Sequence, residues 1–355
     1  MSVPVVDLTI PVHSPSRPIE RAVASVLQAT DAPVRVTVVV HEMDEQVIAR
    51  RLPTGDPRLR TIHLSDGLRS PAGPFNAGIA AAEAPWISIM GSDDTLAAHA
   101  IDSWLALATR TGSDIVIPRV RYVAGRAVPT PPTRPWRTTR LEGVRDRLSY
   151  RSAPLGIFSR TRFGGLRFPT GVPVGEDIPF VTALWFSGAR IAYARRGPAY
   201  LGHADADDRT SEAPRPIRDE FSWLHVLVAD ESYRRLDPAS RSAVVVKCIR
   251  IQLFGAVYHR SRAELWTPAD RETLARTAEK LVSEGDGIHE VLSRADRRLL
   301  DAILDVTAPT QTLIDLAHAR RRFFTPAALL PRRLSELFAR EAPLRMSVAT
   351  ALQSL

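Results

Sequence analysis

Within the first 120 residues one unit recurs every 25 to 29 residues: an apolar, β-branched run followed by a helical pattern. The runs fall at 5–12, 34–40, 59–64, 86–90 and 114–120. They are continuously apolar rather than alternating, which predicts strands buried on both faces, and a helix between successive strands requires parallel order. The first crossover predicts a helix with Ile19, Ala22, Val23, Val26 and Leu27 on one face, at the i, i+3, i+4, i+7, i+8 spacing of an amphipathic stripe. The expected fold is therefore α/β, Rossmann-like, with a mostly parallel central sheet covered by helices on both sides.

A chain of 355 residues exceeds what one hydrophobic core usually serves, so a second domain is expected. Between 118 and 140 the pattern dissolves into a proline-rich stretch that forbids helix. A further strand is predicted at 190–194, and from about residue 213 the pattern is almost wholly helical. The predicted division is an α/β domain over 1–212 and an all-α domain over 213–355. Thr267-Pro268-Ala269-Asp270 and Ser293-Arg294-Ala295-Asp296 read as helix starts within the second domain.

All but two of the 47 basic residues are arginines, against 39 acids, for a net charge of +8. Twelve arginines stand in 117–167 against Glu142 and Asp146, which predicts a local cationic surface suited to phosphate or carboxylate. No basic low-complexity tail or nucleic-acid module accompanies it, so no nucleic-acid partner is expected. The single cysteine, Cys248, lies in an apolar run and is expected to be buried, which excludes a disulfide framework and a cysteine zinc site. The N-terminus lacks a signal-peptide pattern and no apolar stretch approaches a membrane span, so a cytoplasmic protein is expected. Arg320–Phe324 and Arg332–Phe338 alternate basic and apolar residues. Bundle packing, with Leu334, Leu337 and Phe338 turned inward, is the favoured reading; peripheral contact with the inner face of the cell membrane, or a homo-oligomer, is the alternative.

The phosphate-binding, dinucleotide-binding, nucleophile-elbow and zincin signatures are missing; His41-Glu42-Met43-Asp44-Glu45 lacks the second histidine of a zincin. Two acid pairs remain. Gly91-Ser92-Asp93-Asp94 follows the fourth strand, at the carboxyl edge where open α/β sheets bind ligands. Adjacent hard oxygen donors there suit Mg²⁺ or Mn²⁺ on a diphosphate, although Asp93 acting as a helix cap is the plain alternative. Glu176-Asp177 opens a predicted helix after Gly175, where carboxylates also gain from the macrodipole. One pair on a metal and one able to take a proton would serve a metal-assisted displacement at a sugar carbon.

Taken in order, 6–13, 25–30, Asn76-Ala77-Gly78, Gly91-Ser92-Asp93-Asp94 and Gly175-Glu176-Asp177 resemble the motifs of family 2 glycosyltransferases of the GT-A fold. The resemblance covers about residues 4–212. It implies an inverting, metal-dependent transferase that moves a sugar from a nucleotide-sugar donor, UDP favoured, to a hydroxyl of a cell-envelope glycan, polymer or lipid-linked acceptor, anionic by the arginine count. By the same resemblance Pro11, Val12, His13 and Glu42 flank the nucleoside, Asn76 sits beside the donor, and Asp93 binds a divalent cation with Asp94 in support. Asp177 is then the general base, paired with Glu176, while His203 reaches the metal and Arg209 the phosphate.

Gly91 stands where the family has a first acid, His41-Glu42 where it has an acidic pair, and Phe75 where an arginine is usual. The processive Gln-x-x-Arg-Trp motif is missing, which implies transfer of one or a few sugars. The rival readings are a sugar nucleotidyltransferase, which would need a glycine-rich basic loop in place of Pro11–Ser16, and an inactive glycosyltransferase-like scaffold.

Overall fold

The computed structural model describes residues 3–123, 125, 127–203, 205 and 215–354. The chain divides into two compact units: Met1–Thr130 with Trp136–Glu142 and Arg151–Asp208, and Pro131–Pro135 with Gly143–Tyr150 and Arg209–Leu355. The expected boundary at 212/213 lies outside the described residues. Two short pieces from within the first 212 residues, 131–135 and 143–150, belong to the helical unit.

The first unit is built on strands β1 (Val6–Val12), β2 (Val34–His41), β3 (Leu59–Leu64) and β4 (Trp86–Ile89), all in parallel register. Helices α1 (Ile19–Leu27), α2 (Glu45–Ala49), α3 (Ala72–Ala80) and α4 (Ala100–Thr111) intervene or follow. The five apolar residues predicted for the stripe of α1 are its five buried residues. Gly78 lets α3 lie on β1, since a Cβ there would stand 2.1 Å from the Thr9 hydroxyl oxygen.

The predicted strand at 114–120 is two strands in two sheets: β6 (Ile115–Pro118) stays in the main sheet, while β7 (Val120–Tyr122) joins a second one. That second, four-stranded sheet runs β5 (Thr95–Leu96), β12 (Tyr200–Gly202), β7 and β8 (Ala127–Val128). In the eight-stranded sheet, of order β3-β2-β1-β4-β10-β6-β11-β9, β10 (Ile157–Ser159) enters antiparallel between β4 and β6. β11 (Ile191–Ala194) pairs parallel with β6, and β9 (Thr139–Leu141) closes the far edge antiparallel. Helices α5 (Arg160–Phe163) and α6 (Asp177–Trp185) complete this unit.

In the helical unit both predicted starts are formed. Thr267 and Asp270 make a reciprocal capping box with Pro268 in the first turn, and the Ser293 hydroxyl accepts from the Asp296 N–H. Cys248 is fully buried and opens a π-helical turn, Cys248–Leu253, between helical residues 238–247 and 254–259. Leu334–Glu336 is a single 3-10 turn, with Leu334 63% and Phe338 72% exposed, as are Phe323 and Phe324 at 69% and 80%. The inward packing expected of Leu334 and Phe338 is thus corrected: too short a helix forms there to present a buried face. No helix among the described residues is long and apolar enough to cross a membrane.

The arginines of 117–167 are largely consumed inside the protein. Arg147 and Arg151 are buried on backbone carbonyls, Arg160 donates to the Ala84 carbonyl, and Arg134 and Arg162 pair with Asp146 and Asp114. The cationic surface expected from the count is correspondingly smaller, because guanidinium forks satisfy carbonyls where the proline-rich chain makes no ladder.

Candidate active site

β4 ends at Ile89 and the chain turns through Gly91 to Asp94 before β5. The two aspartates have different surroundings. Asp93 Oδ2 lies 2.8 Å from Nη1 of Arg17, with both side chains largely buried (17% and 8% exposed), and its carbonyl accepts from Arg21 at 2.6 Å. Asp94 accepts from the buried Tyr200 hydroxyl at 2.6 Å and from the His203 N–H at 3.1 Å, while the Gly91 N–H donates to the same hydroxyl oxygen at 3.1 Å. Burial pushes the Asp94 carboxyl above its ordinary range and the charge of Asp93 adds to this; the Tyr200 and His203 hydrogen bonds pull the other way. Burial likewise holds the Tyr200 phenol well above its usual value, with the Asp94 charge adding to it, so it stays a donor.

Tyr200→Phe removes the largest downward pull on Asp94. Its carboxyl is therefore expected to titrate at higher pH than in the wild type, read as the midpoint of its ¹³C resonance. An acid whose native pKa is raised loses stability as pH climbs from its unfolded value through the native one, so the variant's deficit is expected to grow over that window. A midpoint unchanged or lowered would remove Tyr200 from this role.

Glu176 and Asp177 are half-buried at the start of α6. Gly175, at φ +80°, supplies the left-handed turn that swings the chain into the helix, a conformation side chains with a Cβ avoid. Asp94, Glu176 and Asp177 line one cavity of about 270 Å³, together with Phe75, Gly91, Phe168 and Tyr200. Its aromatic wall is ordered by stacking: Phe75 on Phe168 at 5.3 Å, and Phe168 on Phe180 at 3.9 Å. Asn76 fixes Phe168, donating to its carbonyl and accepting from its N–H, both at 2.8 Å.

The other anticipated residues lie apart from that lining. Pro11 and Val12 end β1 half-buried and buried, and His13, just past it, is exposed. Glu42, at φ +55°, accepts from the Asp66 and Gly67 N–H groups at 2.7 Å, and His41 meets Asp66 at 2.9 Å. The His203 Nε2 is 2.9 Å from the Thr95 hydroxyl. Arg209 lies outside the described residues. Arg17 and Phe168 carry no signal in the sequence, because each acts through a partner more than 70 residues away.

In donor chemistry Asp93 and Asp94 suit a hard divalent cation, with Asp94 on the cavity wall. The ring of His203 is turned to Thr95, and Arg17 already provides Asp93 with a positive partner.

Residues 7–167 match the family model for glycosyl transferase family 2. Over that stretch, a little under half of the chain, the sequence is similar to family 2 glycosyltransferases. The succinoglycan biosynthesis protein ExoO of Rhizobium meliloti (strain 1021) is 32% identical over 122 residues, which is 34% of this chain and 35% of that protein. The chain thus matches about a third of the length of that curated relative. Residues 1–349 of S. aureus TarS, in complex with UDP-GlcNAc, superpose with a TM-score of 0.72 at 17% identity, covering 90% of this chain and 93% of that one. A longer S. aureus TarS chain gives 0.68 at 16% identity, covering 89% and 55%. At these identities the likeness is one of fold: a GT-A sheet, mostly parallel and flanked by helices, with a helical C-terminal region. Asp94, inside the matched residues, and Glu176 and Asp177, beyond their C-terminal end, all reach the cavity described above.

Proposed function

We propose that this chain is an inverting glycosyltransferase that moves one or a few sugars from a nucleotide-sugar donor, UDP-linked by preference, to a hydroxyl of a cell-envelope glycan, polymer or lipid-linked acceptor. The observation that carries the reading is the shared cavity, lined by Asp94, by Glu176 and Asp177, and by the rings of Phe75, Phe168 and Tyr200. The sugar's reacting carbon would sit between the two acid pairs. Asp177 takes the proton from the acceptor hydroxyl, whose oxygen forms the new bond to the anomeric carbon as the bond to the diphosphate breaks, and a single displacement inverts that carbon. Asp93 and Asp94 would hold a divalent cation, which when bound neutralises charge on the departing diphosphate. Phe75 and Phe168 exclude water from the sugar's side. The preference for UDP is supported by the TarS complex with UDP-GlcNAc, and the polysaccharide acceptor by the role named for ExoO.

A panel of UDP, GDP, CDP and dTDP, with and without Mn²⁺, tests the reading through thermal stability. A ligand bound only by the folded state stabilises it by about 2.7 kcal/mol at one hundred times its Kd. UDP with Mn²⁺ is expected to raise Tm by several degrees, and Asp94→Asn to abolish the metal-dependent part. No shift with any of the four would end the proposal.

The helical unit supports peripheral contact with an anionic membrane surface. Phe323, Phe324, Leu334 and Phe338 are exposed beside Arg322 and Arg333, a combination suited to anionic headgroups. Flotation with vesicles containing anionic lipid is expected to carry the protein, and Phe323→Ser/Phe324→Ser to leave it behind; equal flotation with neutral vesicles counts against this location.

A further inference from the structure

The first unit holds a second and larger cavity, about 470 Å³, which shares no lining residue with the candidate active site. Its walls come from α4 (Leu107, Arg110), from Trp136 ahead of β9, and from the end of β11 (Tyr193, Arg195, Arg196). Three guanidinium groups therefore border it, and no carboxylate does. Among the described residues neither Arg110 nor Arg196 makes an ion pair, unlike the consumed arginines of 117–167. Trp136 is 79% exposed and held at φ +59°, a backbone conformation that bulky side chains rarely adopt. At that exposure its indole stands bare at the edge of a cationic pocket.

We propose that this cavity binds an anionic glycan, whose sugar ring stacks on Trp136 and whose carboxylate or phosphate is received by Arg110 and Arg196. The chemistry is specific to that class. A pyranose offers a flat face of C–H groups that packs on an indole, while its acidic substituent takes the forked donors of a guanidinium. The volume lies within the range of small-ligand sites. A nucleic-acid strand would instead need successive aromatic platforms along a groove, and this pocket has a single exposed one. The choice of a saccharide rests on the glycosyltransferase reading. The site's place in that activity is retention of the acidic acceptor or product strand away from the reacting carbon.

The test is calorimetric binding to the full chain without nucleotide or metal, so that failure of donor binding and failure of this site register separately. Probes are a hyaluronan hexasaccharide (carboxylate), a phosphomannan oligosaccharide (phosphate), neutral chitohexaose and mannohexaose, inorganic polyphosphate and a single-stranded oligonucleotide. At least one acidic saccharide is expected to bind ten times or more tightly than its neutral counterpart, and which one identifies the anion. Trp136→Ala and Arg110→Ser/Arg196→Ser, all at exposed positions and checked for unchanged circular dichroism, are each expected to weaken that binding tenfold or more. The proposal is overturned if neither acidic saccharide binds or if binding survives either variant. Equal binding of polyphosphate or the oligonucleotide, indifferent to Trp136→Ala, would reduce the site to a patch of charge and also overturn it.

Discussion

Asp177→Asn is expected to lower the rate of sugar transfer by about 10²–10⁴-fold while leaving the thermal shift with UDP and Mn²⁺ intact, because a positioned general base contributes on that scale and the amide keeps the shape of the carboxylate. The substitution removes the proton acceptor and spares the helix: Asp177 occupies the first turn of α6, which is held by the buried residues that follow. Glu176→Gln, one residue earlier and lining the same cavity, separates the roles. If Glu176 only shapes the field around its neighbour, its loss costs less than that of Asp177. If instead Asp177→Asn keeps turnover within tenfold and Glu176→Gln does not, the base is Glu176. Loss of UDP binding in Asp177→Asn would mean that the carboxylate serves the donor rather than the acceptor. Initial rates with saturating donor, and the shift measured on the same preparations, distinguish these results.

How much of this was legible in the sequence depends on the range of the interactions involved. β1 and β2 announce themselves because burial on both faces demands unbroken β-branched runs, and α1 because its stripe must face them. The capping box at Thr267 is legible because it is complete within four residues. The acid pairs stand out because carboxylates at a strand end and a helix start have few plain explanations. By contrast, β10 is three residues without a pattern, and its antiparallel insertion is fixed by β4 and β6 on either side.

Arg17 illustrates the same limit at the site. Nothing local to it says that its guanidinium will meet Asp93, and the arrangement adds to the reading of that aspartate, a candidate ligand that also holds a guanidinium. The arginines at 134, 147 and 151 were countable but not interpretable, since their partners are an aspartate twelve residues on and carbonyls scattered along the chain. Exposure of Leu334 and Phe338 was misread for a related reason: the apolar spacing suits a helix, yet only one turn forms.

The helical unit carries the second large effect, at Arg250. Its side chain, 7% exposed within the π-helical turn, donates to the carbonyls of Glu341 at 2.8 Å and Val291 at 3.2 Å, and to the Tyr150 hydroxyl at 3.1 Å. It also faces Asp296 at 3.4 Å and Glu341 at 3.7 Å. Burial opposes its charge, but Tyr150, Asp296 and Glu341 together hold its pKa above the ordinary arginine value. Arg250→Ala is therefore expected to destabilise the unit by about 3–5 kcal/mol, the usual consequence of removing one partner from a buried ionic network. Asp296 keeps Arg320, which donates to it at 2.8 Å. Glu341 is worse placed, for burial already pushes its carboxyl up, and the guanidinium of Arg147 is 4.0 Å away. Without Arg250 its pKa must rise further, so protonation relieves the variant as pH falls: the deficit measured by urea unfolding is expected to be larger at pH 8 than at pH 5. Adding Glu341→Gln to Arg250→Ala should then restore part of the loss at pH 8 and little at pH 5. A deficit below about 1 kcal/mol, or one independent of pH, would show that water replaces the guanidinium and that the network is not what binds 143–150 to the helices around it.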